Sequence, residues 1–163
     1  MCNILKIKYL TISMLLALTC PTVCVSALER SPSPEGALAY FITPTNGERV
    51  PSTFTVRFGL KNMGVAPAGI SVNKTGHHHL LVDLAQLPTL DEPLPSNSSV
   101  RHFGIGQTEV SLKLASGTHT LQLLLGNHAH VPHDPPVVSQ RITVTVELNK
   151  REVLTLQPGD KIR

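Results

Sequence analysis

Thr53-Phe54-Thr55-Val56-Arg57-Phe58-Gly59-Leu60 alternates apolar and polar side chains. A period of two is the signature of a half-buried β-strand. Phe54, Val56, Phe58 and Leu60 share one face, and Thr53, Thr55 and Arg57 the other. Arg141 to Leu148 repeats the pattern, with Ile142, Val144, Val146 and Leu148 turned inward. Ala37 to Ile42, His77 to Asp83, Val110 to Leu114 and Thr118 to Leu125 read as further strands, and Ala68 to Val72 as a short edge strand. Thr43-Pro44-Thr45-Asn46-Gly47 is a strong turn after the first of them. No segment beyond the N-terminus carries a helical repeat with caps, and 13 prolines and 11 glycines punctuate the chain. Six or seven short strands in a chain of this length predict an all-β fold: a single immunoglobulin-like antiparallel β-sandwich of about seven strands. Ser116-Gly117-Thr118-His119 reads as a corner leading into a strand, with His119 bracing it.

The ends are expected to lie outside that domain. Lys6 and Lys8, the apolar stretch Leu10 to Thr19 and the small-residue site Val25-Ser26-Ala27 together read as a secretory signal peptide over residues 1–27. The apolar stretch falls short of the ~20 residues of a membrane span, so no span is expected in the mature chain. Residues 28–36 form a Ser/Pro linker, 37–148 the sandwich, and 149–163 a tail. Cys2, Cys20 and Cys24 all fall in the expected leader. A mature chain without cysteine has no disulfide, no thiolate metal site and no c-type haem. Export to the periplasm or beyond follows as an expectation. Removing Lys6 and Lys8 leaves 12 basic against 11 acidic residues. With no basic stripe, nucleic acid is not an expected partner. Gly104-Ile105-Gly106 precedes no predicted helix and is no nucleotide fingerprint.

All 8 histidines lie between positions 77 and 133. Histidine is the commonest metal ligand and titrates near neutrality. His77 and His79, two apart on a predicted strand, share a face, while His78 turns the other way with Leu80 and Val82. His128, His130 and His133 form an HxHxxH cluster after a very apolar strand, with Asp134 beside it as a candidate acceptor behind a ligand. His102 stands before a Gly-x-Gly turn and can swing into a shared site. Each has an ordinary alternative: capping backbone groups at strand ends or around the prolines. The connections 84–101 and 127–139 are long for a minimal sandwich, and loops of that length are usually functional or disordered. H-E-x-x-H and G-x-S-x-G are absent, so nothing marks a zinc protease or a serine nucleophile.

Four strings carry a resemblance: Thr75-Gly76-His77-His78-His79-Leu80-Leu81-Val82-Asp83, His102-Phe103-Gly104-Ile105-Gly106-Gln107-Thr108-Glu109, Gly117-Thr118-His119-Thr120-Leu121-Gln122-Leu123 and His128-Ala129-His130-Val131-Pro132-His133-Asp134-Pro135-Pro136-Val137. Together they resemble the bacterial domain of unknown function family numbered 4399, over roughly Leu38 to Val146. The resemblance implies an exported protein with one β-rich domain, and it places the histidine strings in a family motif. Glu109, in the same motif, becomes a candidate carboxylate partner or a plain strand-edge charge. Two classes of function follow. The first is a metal-binding module holding copper(II) or zinc through His77, His79, His102, His128, His130 and His133, since nitrogen donors suit these ions and the lack of thiols disfavours copper(I). The second is an Ig-like interaction domain that binds an envelope protein or glycan without metal. A metal-dependent hydrolase is a weaker third, needing an open coordination position and a base such as Asp134 or Glu109. The sequence therefore favours a binding module over an enzyme.

Overall fold

The computed structural model describes residues 29–147; the expected signal peptide (1–27) and tail (149–163) lie outside the described residues. The strands are β1 (Leu38–Thr43), β2 (Arg49–Pro51), β3 (Thr53–Lys61), β4 (Gly64–Val65), β5 (Thr75–Val82), β6 (Val100–His102), β7 (Glu109–Lys113), β8 (Gly117–Gly126) and β9 (Ile142–Glu147). One sheet has the order β1-β3-β7; the other runs β2-β9-β8-β5-β4, with β6 also pairing β5. The two sheets face each other as an immunoglobulin-like β-sandwich. Pairing is antiparallel except at two short contacts, β2 with β9 and β4 with β5. No helix of the described residues is long and apolar enough to cross a membrane, which says nothing of spans made by strands.

The alternation in β3 sets the core. Phe54, Val56 and Phe58 meet Leu80 and Val82 of β5, Leu121, Leu123 and Leu125 of β8, and Val144 and Val146 of β9. Each such side chain contributes roughly 1.5–3 kcal/mol by leaving water. His78 enters this core with Leu80 and Val82; its ring centroid lies 5.2 Å from that of Phe58. His119 ties the corner, with Nδ1 2.7 Å from Asp83 Oδ2 and Nε2 3.0 Å from the carbonyl of Ala115. Ala68 to Val72, expected as an edge strand, is a turn instead. Pro67 and Gly69 (φ +81°) bend the chain there, and Ile70 N donates to Pro67 O.

The other face of β5 decides where the histidines go. Residues 77–82 are buried without interruption rather than alternately, as in strands covered on both faces. The cover is the long connection after β5. Leu84, Leu87, Leu90 and Leu94 pack with Val100 over Leu81 of β5 and Leu124 of β8, making a second small core outside the sheet. A segment rich in Pro, Ser and acid is thus ordered by leucines spaced through it. Replacing Leu94 by Ala should destabilise the fold by about 2–3 kcal/mol and open residues 84–99 to protease first. Urea unfolding with limited proteolysis checks this. An unchanged midpoint and cleavage pattern would mean that the cover adds no stability.

Candidate metal centre

Four imidazoles meet under the edge of that cover. His77 and His79 project from the outer face of β5, and His102 stands directly opposite His79 in the β5–β6 register. His130 arrives from the turn after β8. Ring centroids are 4.8 Å apart for His77–His79, 4.9 Å for His77–His102, 5.0 Å for His77–His130, 5.1 Å for His79–His102, 4.7 Å for His102–His130 and 6.2 Å for His79–His130. Every pair is therefore within reach of one centre. His77, His79 and His102 each offer a ring nitrogen within 4.8 Å of the other two.

The nitrogens are poorly served by the protein. Both ring nitrogens of His77 and of His79, and Nε2 of His102, are buried without a hydrogen-bond partner, as are both of His78 in the main core on the other side of the sheet. A buried polar group left unsatisfied costs about 1–3 kcal/mol. Burial, reinforced by the neighbouring His102 and His130 rings, pushes the His77 pKa down to about 4; burial with His77, His102 and His130 pushes His79 to about 3. Burial followed by His130 also lowers His102. These rings are neutral at pH 7, the state in which imidazole binds a metal.

Asn127 builds the turn that delivers His130. Its Oδ1 accepts from Ala129 N (2.9 Å) and Val131 N (3.0 Å), and its carbonyl accepts from His130 N (2.9 Å). The turn holds His130 at φ +67°, a left-handed conformation uncommon for residues other than glycine. It also separates the members of HxHxxH. β8 ends at Gly126, so the spacing of His128 and His130 is not a strand spacing. His128 is exposed and lines a surface pocket with Ile70, Val72 and Lys74. His133 is buried beside the cluster with its nitrogens toward backbone carbonyls, Nδ1 3.5 Å from Leu125 O and Nε2 3.2 Å from Thr75 O. Its pKa is lowered mainly by burial. Of the three, His130 alone joins His77, His79 and His102.

The two candidate carboxylates lie elsewhere. Glu109 pairs across strands with Arg57 (2.5 Å) on the outer face of the other sheet. Asp134 lies 3.5 Å from Arg30. Arg30, in the stretch expected as a linker, also donates to the carbonyls of Pro132 and His133 and so clamps the histidine turn.

Glycines make the room, a feature outside the reading of the sequence. A Cβ on Gly104 would lie 2.2 Å from Cε1 of His102, and one on Gly126 would lie 2.8 Å from Cε1 of His79. For Gly126 a sequence signal was available, since glycine within a strand pattern often marks a close approach; Gly104 lies in a turn after β6. Gly104→Ala keeps every imidazole yet must displace the His102 ring. For an ion held by this cluster, affinity should fall by roughly 10- to 100-fold, the usual effect of disturbing a ligand's support, with little change in thermal midpoint. Equilibrium dialysis beside calorimetry checks this; unchanged affinity would remove His102 from the centre.

A family model described as "Domain of unknown function (DUF4399)" matches residues 56–147. No curated protein matches the chain. Among solved structures, an endo-beta-1,4-mannanase from Thermotoga petrophila is similar at 18% identity and TM-score 0.40, over 69% of this chain and 20% of that one. This chain thus spans about a fifth of the mannanase. The fibronectin(III)-like modules of Clostridium thermocellum CbhA are similar at 13% identity and TM-score 0.30, over 69% of this chain and 96% of theirs.

Proposed function

This chain belongs to the DUF4399 family, and from that premise and the imidazole cluster we propose that it is an exported metal-binding module, periplasmic or secreted, that takes up zinc or copper(II). His77, His79, His102 and His130 are the proposed ligands. The observation that carries the reading is the convergence of these rings, with ligand nitrogens of His77, His79 and His102 within 4.8 Å of one another and those of His77 and His79 buried without a hydrogen-bond partner in the protein. An ion would engage one nitrogen of each ring, the other N–H being left to an acceptor behind it. Asp134 and Glu109, engaged with arginines, have no proposed part, and His128 and His133 lie outside the ligand set.

Metal content of untagged protein, recovered from the periplasm of cells expressing the full chain, tests this. Near-stoichiometric zinc or copper is expected. It should be lost in His77→Leu/His79→Leu and kept in His128→Ala. Metal-free protein that also takes up neither ion at micromolar concentration would end the reading. One observation favours the interaction-domain alternative: edge strand β1 exposes Leu38, Tyr40 and Ile42. That reading expects binding to an envelope protein or glycan that depends on Tyr40 and ignores His77 and His79.

A further inference from the structure

Resting on the reading of the cluster as a metal centre, we propose that it is built for a four-coordinate tetrahedral ion, zinc(II), and works against the tetragonal geometry of copper(II). The argument is the shape of the four-ring set. A square of ligands has two long diagonals, and these join disjoint pairs of rings, each about 1.4 times the side. Here His79–His130 is long at 6.2 Å, but its complement His77–His102 is 4.9 Å. The other two complementary sets are short on both sides: 4.8 and 4.7 Å for His77–His79 with His102–His130, and 5.0 and 5.1 Å for His77–His130 with His79–His102. No assignment of diagonals makes a square. The set is a tetrahedron with one edge opened.

The scaffold resists flattening. His77 and His79 are two residues apart on β5, whose backbone is paired to β8 along His77–Val82 and to β6 along His79–Leu81. His102 is fixed across from His79 by the same ladder. With three of the four backbones fixed in this ladder, flattening the set is left to side-chain torsions and to the turn that carries His130. Tetrahedral sites select zinc, whereas copper(II) takes square or tetragonal nitrogen sets. The described thioether, Met63, packs against the main core, away from the outer face that carries the cluster. The donor set is thus imidazole without sulfur, which disfavours soft copper(I). Zinc bonds of about 2.0–2.1 Å put donor atoms about 3.3 Å apart. Closing the set from 4.8 Å to that spacing asks for ring rotations, and His130, on its turn, has the longest way to come.

Cobalt(II), which shares zinc's coordination preference and reports it by colour, is the probe. Untagged full-chain product, stripped of metal, is titrated with cobalt(II), then zinc(II), and separately with copper(II). The expected result is the intense blue absorption of four-coordinate cobalt, lost completely with one equivalent of zinc, and a copper(II) resonance distorted away from tetragonal. Weak pink six-coordinate cobalt together with an ordinary tetragonal copper(II) signal at stoichiometric uptake would overturn the zinc assignment while leaving the metal module standing. Failure of all three ions to bind would remove the metal reading, and the geometry argument with it.

Discussion

Stripped of metal, the protein should unfold cooperatively as the pH is lowered from 6.5 towards 4. His77 and His78 are held down to about 4 and His79 to about 3 against an ordinary 6.5, burial being the first cause in each. Above 6.5 all three are neutral in both folded and unfolded chains, and their share of stability is fully present. Below 6.5 the unfolded chain takes up protons that the folded one refuses. Stability then falls until the folded pKa values are reached. Each proton so refused costs about 1.4 kcal/mol per pH unit, so three together cost up to ~4 kcal/mol per unit. A domain with a margin of ~5–15 kcal/mol exhausts much or all of it in two to three units. Circular dichroism against pH should show the transition inside this window. In His78→Leu, which keeps the β5 outer face intact and removes one titrating ring from the core, the transition should move to lower pH and its proton stoichiometry should drop by about one. A transition confined below pH 4, unmoved by His78→Leu, would show that these rings are protonated within the fold.

That expectation depends on β5 being buried on both faces, which is also where the sequence is hardest to read. β3 and β9 are legible because one face of each meets the core and the other meets water; Thr55 and Arg57 advertise the outside as clearly as Val56 and Phe58 the inside. β5 reads His-His-His-Leu-Leu-Val, with no alternation to reveal its faces. The strand period still separates His77 and His79 from His78, and the structure puts them on opposite sides of the sheet. β2, β4 and β6 are two or three residues long, too short for any period. The cover over residues 84–99 is invisible to periodicity because its leucines pack from an irregular chain. At the site, proximity in sequence misleads. His128 and His130 share the spacing of His77 and His79, yet Asn127 ends the ladder and turns them apart. Ligand geometry made by turns follows hydrogen bonds of side chains such as Asn127, and no spacing rule encodes those.

His130→Gly should move metal binding and stability in opposite directions. His130 sits at φ +67°, where a side chain costs about 1–2 kcal/mol that glycine does not. Glycine's larger entropy loss returns some of that, so the metal-free variant should be more stable than the parent by ~1 kcal/mol. The same change deletes one of the four proposed ligands. Disturbing a ligand's support already weakens sites 10- to 100-fold, so removing the ligand should weaken this one by about 100-fold or more. At a zinc concentration 1,000 times the parent's Kd, binding adds about 4 kcal/mol of stability to the parent and, after a 100-fold loss, about 1.4 kcal/mol to the variant. The order of thermal midpoints should therefore reverse between chelator and zinc: variant above parent without metal, parent above variant with it. A residue that only shapes a loop would not reverse them. If glycine raises the midpoint equally in both conditions, His130 is a strained turn residue and the centre is the trio of His77, His79 and His102. If glycine lowers both midpoints equally, the His130 ring holds the turn by packing, and its strain is not stored for an ion.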